Sequence, residues 1–268
     1  MKYMTFNSSC SYAGIANMLE QYGYDTEDYQ IALEMKLPYL FACEDGVYLA
    51  GPSLQSEAWF NLFLKPRGFE LVVKQMPKEM VCTYLEGLKC AMLGIRVSEN
   101  SKHAVIYTGK ENGKYRFVNN RHREGAEPEG FLFDGKELWE RLDGETVVGM
   151  LKSCEPESID FQPLFRSSLD VLDRLWLEIQ AVCGEEKSPQ ELMSLLNPLF
   201  RPFLLDGISM LKLLGEDDLW EEFTHIQRAF LAALRGGKES VRLADELPMG
   251  QFALAVERYK ALIRRECQ

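Results

Sequence analysis

One turn limits the folds open to this chain more than any other stretch. Asn112-Gly113 lies between His103-Ala-Val-Ile-Tyr-Thr108 and Tyr115-Arg-Phe-Val-Asn119. Both flanking runs are rich in β-branched and aromatic residues, and Asn-Gly accepts the positive φ angles of a tight hairpin turn. The pattern predicts two antiparallel strands. Cys90-Ala-Met-Leu-Gly-Ile-Arg-Val97 predicts a further, mostly buried strand, and the alternation over 69–74 and the run 145–152 predict two more. A hairpin also brings its two ends together. His103 and Asn119 are therefore expected as near neighbours at the open end of the sheet.

Helical patterns surround these strands. Tyr12, Ile15, Ala16 and Leu19 recur at helical spacing, and Gly23 suits the position just past the helix end. Asn7, Ser8 and Ser9 precede that helix and are good capping residues. Cys10 then falls in or beside the first turn, where unpaired backbone N–H groups and the helix dipole favour a thiolate. A second helix is expected from Asp25 or Thr26 to about Met35, a third over 53–64 capped by Ser53, and others near 77–87 and 136–142. The stretch 37–52 shows no clean period and reads as an ordered, half-buried loop. Its aromatic residues, Tyr39 to Tyr48, together with Trp59, are candidates for a cleft roof, with core packing as the plainer use.

After Glu155 the composition turns helical, with stretches over about 161–183, 189–214, 217–234 and 249–266 separated by glycine and proline. The expected organisation is an α+β domain over 1–155 and an all-α helical bundle over 156–268.

Charge narrows the partners. The formal net charge is −11, with 30 basic against 41 acidic side chains and no basic stripe, which argues against nucleic acid or an anionic membrane. No apolar window is long enough for a signal peptide or a membrane span, so a cytoplasmic chain is expected. The seven cysteines are scattered, with no C-x-x-C pair. A disulfide framework or a structural metal site is not expected, nor is a cofactor.

Histidines number three, His103, His122 and His225. His122 reads as a solvated loop residue and His225 as an exposed helical one. His103 is the candidate base for Cys10, and Asn119 the amide that would fix the imidazole tautomer. Asn120 could fill the same place.

The order of cysteine at a helix start, histidine on a strand and asparagine on the next strand resembles the papain-like fold in its compact bacterial form, the peptidases that remove double-glycine leader peptides from bacteriocins. Cys10 followed by Ala13 resembles that family's Cys-x-x-Ala helix. Gly87-Leu-Lys-Cys-Ala-Met-Leu-Gly-Ile-Arg-Val97 resembles its strand before the histidine, and the step from His103 to Asn119 its step to the third triad member. The chain is similar, too, to the N-terminal domain of the butirosin-biosynthesis acyltransferase. The resemblance covers roughly residues 1–155. It implies a papain-like domain, an N-terminal helix packed on an antiparallel sheet, with Cys10, His103 and Asn119 as catalytic residues. The family's oxyanion glutamine, about six residues before the cysteine, is replaced here by Met4, which leaves Asn7 as the oxyanion candidate, with Thr5 as another. Asn119 stands where the family commonly has Asp-Pro.

The leading expectation is a cysteine-dependent acyl-transfer enzyme, a peptidase or amidohydrolase on the one hand or an acyltransferase on the other, acting on a peptide or an acyl thioester. The alternative is a catalytically inactive papain-like binding module whose helical domain mediates association, including homodimerisation.

Overall fold

The expected hairpin lies inside a larger antiparallel sheet. The protein is described by a computed structural model over residues 4–6, 10–98, 101–119 and 130–268. In chain order it forms α1 (Ser11–Glu20), α2 (Asp28–Glu34), β1 (Phe41–Glu44), β2 (Val47–Ala50), α3 (Glu57–Leu64), β3 (Phe69–Pro77), α4 (Lys78–Glu86), β4 (Ala91–Ser98), β5 (Ser101–Glu111), β6 (Lys114–Val118), β7 (Gly130–Phe133), α5 (Gly135–Arg141) and β8 (Glu145–Ser153). Then follow α6 (Gln162–Gly184), β9 (Glu186–Lys187), α7 (Pro189–Leu195), α8 (Ile208–Leu214), α9 (Asp217–Arg235), β10 (Val241–Arg242), α10 (Leu243–Glu246) and α11 (Met249–Glu266). The class is α+β. No helix among the described residues is long and apolar enough to cross a membrane.

The chain divides into two units. The first comprises Met1–Met35 and Gln55–Ile159, the second Lys36–Leu54 and Asp160–Gln268. In the first unit the sheet order is β3-β8-β4-β5-β6-β7, with every neighbouring pair antiparallel. Asn112 and Gly113 have φ of 51° and 81°, and β5 pairs with β6 through Ile106↔Val118 and Tyr107↔Phe117. Asn-Gly thus makes the turn its chemistry predicts.

Alternation sends successive side chains to opposite faces of this sheet. On one face Leu93, Ile95, Val105, Tyr107, Phe117 and Val148 form a core with Val81 and Leu85 of α4 and Leu138 of α5. Burying a side chain of that size contributes about 1.5–3 kcal/mol. The other face carries α1 and α3. A Cβ on Gly14 would stand 2.7 Å from Met92 Sδ and 3.4 Å from Ile106 Cδ1, so the glycine lets α1 lie directly on β4 and β5. Tyr12 of α1 packs edge-on against Phe60 of α3, with ring centroids 4.8 Å apart. Asn61 ties α3 to the sheet: its Nδ2 donates to Leu71 O at 3.2 Å and its Oδ1 accepts from Leu71 N at 2.7 Å.

The second unit is largely helical. Its core holds Phe203 stacked on Phe223 at 5.4 Å, with Phe252 edge-on to both. The segment 36–54 belongs to this core, whereas the sequence reading placed it with the first 155 residues. It is a hairpin rather than an irregular loop. Asp45 and Gly46 take φ of 50° and 79°, and β1 pairs with β2 from Phe41↔Ala50 to Glu44↔Val47. Phe41 packs edge-on against Tyr259, its N–H donates to Ser168 Oγ at 2.9 Å, and Tyr259 Oη donates to Pro38 O at 2.8 Å. Tyr48 Oη donates to Glu178 Oε1 at 2.6 Å. Phe41 and Tyr48 are therefore core residues of the helical unit, while Trp59 belongs to α3 of the other unit. The second unit also begins at Asp160 rather than at residue 156.

Smaller differences concern caps. Ser56, not Ser53, precedes α3, because Ser53 Oγ is bound to the backbone of Ala50. Glu27 precedes α2, and its N–H donates to Gln30 Oε1 at 2.8 Å. The stretch 189–214 is not one regular helix: Leu196–Phe200 and Pro202–Gly207 widen to π-type turns between α7 and α8.

Candidate active site

Cys10 is the residue from which α1 grows. It is the N-cap, and its carbonyl accepts the first helical hydrogen bond, from Gly14 N–H at 2.9 Å. The Cys10 side chain is half-buried. The N–H groups of the helix's first turn lie at the positive end of the helix dipole. Gly14, one turn on, sets the closeness of the helix to Met92 and Ile106, and hence the height of Cys10 over the sheet.

His103 is in β5, opposite Ile95 of β4, and is half-buried. Asn119 follows β6 directly and is 1% exposed. One step beyond the Ile106↔Val118 pair, continued pairing sets Asn119 beside Val105. That is a same-face diagonal from His103, within reach of long or planar side chains. The adjacency of β5 and β6 thus brings the two positions to one end of the hairpin.

A cavity of about 500 Å³ opens on the sheet face that carries α1. Its lining is mainly apolar: Phe60, Leu71, Val73, Met92 and Val147, with Ala104 at one side. Ser11, Gln55 and Glu57 supply the polar groups. Two of these residues locate the cavity relative to the sequence candidates. Ser11 is the residue after Cys10; Ala104 is the residue after His103, and strand alternation therefore sets His103, paired with Ile95 and in step with Val105 and Tyr107, on the α4/α5 face of the sheet, opposite the cavity. Ser11 Oγ donates to Gln55 Oε1 at 3.1 Å. The N-terminus of α3 is held beside it, since Val73 N–H donates to Glu57 Oε2 at 2.8 Å.

The upstream oxyanion candidates fare differently. Asn7 lies outside the described residues, as do Asn120 and His122. Thr5 is engaged elsewhere: its N–H and its hydroxyl both donate to the Asp28 carboxylate, each at 2.6 Å. Asp28 is fully buried. Burial raises its pKa, and the two bonds from Thr5 pull in the opposite direction.

The other cysteines provide a contrast. Cys90 and Cys183 are buried, and burial pushes their thiols up to about 11 and about 12. A second cavity, of about 470 Å³, lies between α9 and α11 in the helical unit. Asp218, Glu221, Glu222, His225 and Arg258 line it, and His225 is exposed there. Among the described residues no group of three His, Cys, Asp or Glu side chains is placed to hold a metal ion.

Sequence reasoning located the helix start, the hairpin and the two strand positions. It missed Gln55, which carries no local signal, because its contact with Ser11 spans 44 residues. It also missed Asp45-Gly46, whose signal was present in the same form as Asn112-Gly113. Compared with known proteins, the chain matches no family model and no curated sequence.

Proposed function

We propose that this chain is a cysteine-dependent acyl-transfer enzyme whose first unit is papain-like. Cys10 Sγ attacks a carbonyl carbon while His103 takes the thiol proton, or holds it already as a thiolate–imidazolium pair. The tetrahedral intermediate collapses, the leaving amine or thiol departs with the proton from His103, and an acyl-thioester remains on Cys10. Water or an amine then attacks that thioester, with His103 accepting its proton. Asn119 orients the imidazole. The substrate is a peptide or an acyl thioester with an apolar group next to the reacting carbonyl. The observation that carries this reading is the apolar cavity beside Ser11, the residue after Cys10, lined by Phe60, Leu71, Val73, Met92 and Val147.

Iodoacetamide labelling mapped to individual cysteines tests it. Cys10 is expected to label faster at neutral pH than a free cysteine does, and His103→Ala to slow it about tenfold or more. Cys90 and Cys183 stay unlabelled in the folded protein. Labelling of Cys10 no faster than free cysteine, with or without His103→Ala, sinks the enzyme reading.

A second reading has its own support. Leu177 and Leu254 of the helical unit are 64% and 67% exposed. On this reading the helical unit is a bundle that mediates association, with itself or a partner, and the papain-like unit is an inactive module. Sedimentation of the wild type against Leu177→Ser/Leu254→Ser decides it. A monomer in both cases removes self-association.

A further inference from the structure

We propose that the cavity of the first unit is a trough that binds an uncharged, straight aliphatic chain, which in the acyl-transfer reading is the chain of the acyl group. The inference rests on that reading only for the carbonyl at the end of the chain; the trough itself is set by the sheet. β8 and β4 pair through Met92↔Gly149 and Leu93↔Val148, and continued pairing sets Val147 beside Gly94. Gly94 pairs in turn with Ala104 of β5. Val147, Gly94 and Ala104 therefore form one row across three strands, on the face that carries α1 and α3, and all three line the cavity. Gly94 and Ala104 have little or no side chain, so the floor of this row is low. The next row, Val73, Gly149 and Met92, flanks it.

The lining selects the ligand. Strands about 4.7–4.9 Å apart give a row of three a length of about 10 Å, longer than any uncharged aliphatic amino-acid side chain. Among the described residues no lysine or arginine lines the cavity, so a carboxylate or phosphate has no cation to meet there. Glu57 is the charged group of the lining; its carboxylate accepts Val73 N–H at 2.8 Å and repels an anion. Val147 and Val73 are 51% and 38% exposed. The trough is thus open to solvent, and a chain laid along it removes from water apolar surface that the fold leaves uncovered.

The test uses the full chain, methyl-labelled at valine and methionine, titrated with a series of 1-alkanols and followed by NMR. Alkanols carry no carbonyl, so their binding does not depend on a nucleophile. They are expected to shift the methyl signals of Val73, Met92 and Val147. Affinity is expected to rise about fourfold with each added methylene until the row is filled, and then to level off. Octanoate is expected to bind more weakly than 1-octanol. Val147→Asp, at an exposed position that tolerates a polar residue, is expected to weaken 1-octanol tenfold or more, and Ala104→Leu to bring the plateau at a shorter chain. Affinity independent of chain length overturns the proposal, as does octanoate binding more tightly than 1-octanol. So do wild-type binding by Val147→Asp and shifts as large at Met193, which is 51% exposed on the helical unit. Slow alkylation of Cys10 beside intact alkanol binding removes the enzyme reading and leaves the trough as a binding site.

Discussion

Gly14 lies where α1 and the sheet come closest. Met92 Sδ is the end of a flexible side chain and can yield to a methyl group, but a larger side chain must displace Ile106 as well. Gly14→Leu is therefore expected to cost about 1–3 kcal/mol, the range for overpacking, measured by urea unfolding. It is also expected to lift Cys10 away from the cavity. Asp28 makes a prediction of the opposite kind. Its pKa is raised in the folded state, so its contribution to stability is greatest below its unfolded value and is lost as pH rises through the folded one. Asp28→Asn should accordingly gain stability relative to the wild type between pH 4 and pH 7, read from paired denaturation curves at each pH. A wild-type advantage that grows over the same range would show that the Thr5 bonds outweigh burial. The start of α1 at Cys10 and the end of β6 before Asn119 were legible in the sequence because each is an element boundary with a local signal. Asp28 and Gln55 were not, since burial and long-range contact leave no mark on neighbouring residues.

The strands and helices of the first unit were largely readable, for a definite reason. β4 and β5 have one face against α4 and α5 and the other under α1, and β6 alternates exposed and buried residues, so their residue types are dictated along the strand. The hairpin of β1 and β2 was misread because its aromatic and apolar residues follow the packing needs of the helical unit rather than a period of two. Its burial runs half-buried to exposed after Phe41, and exposed, buried, half-buried and buried along Val47–Ala50. The π-type turns before α8 were equally hidden, because a wide turn keeps the apolar content of a helix and changes only its phase. One residue records it. A Cβ on Gly207 would lie 2.6 Å from Pro202 O, and a backbone oxygen inside a helix has little room to yield. Gly207→Ala should destabilise the protein by about 1–3 kcal/mol, although alanine is the better helix former in an ordinary turn. A variant as stable as the wild type in urea would mean that the wide turn can relax.

At the scale of the molecule, the path of the chain matters more than its composition. The backbone enters the helical unit at Lys36, leaves it at Leu54 and returns at Asp160. A cut at residue 155, where the composition changes, therefore does not separate the two units. A fragment of residues 1–155 retains Leu37, Leu40, Phe41 and Leu54, each fully or nearly fully buried in the whole chain, without the helices that cover them. It is expected to aggregate or to bind a hydrophobic dye that the full chain does not bind, as measured by light scattering and dye fluorescence. A monomeric 1–155 fragment with no dye binding would show that the segment finds another cover.

That path also sets a timetable. During synthesis Lys36–Leu54 leaves the ribosome early, and its partners, among them Ser168, Glu178 and Tyr259, leave it late. An apolar hairpin must wait, uncovered, until all of Gln55–Ile159 has been made, and Pro38 meets Tyr259 only when the last helix arrives. The sheet of the first unit can close meanwhile from contacts of its own. The helical unit cannot, and with it the order of events is fixed by translation rather than by the relative strength of the two cores.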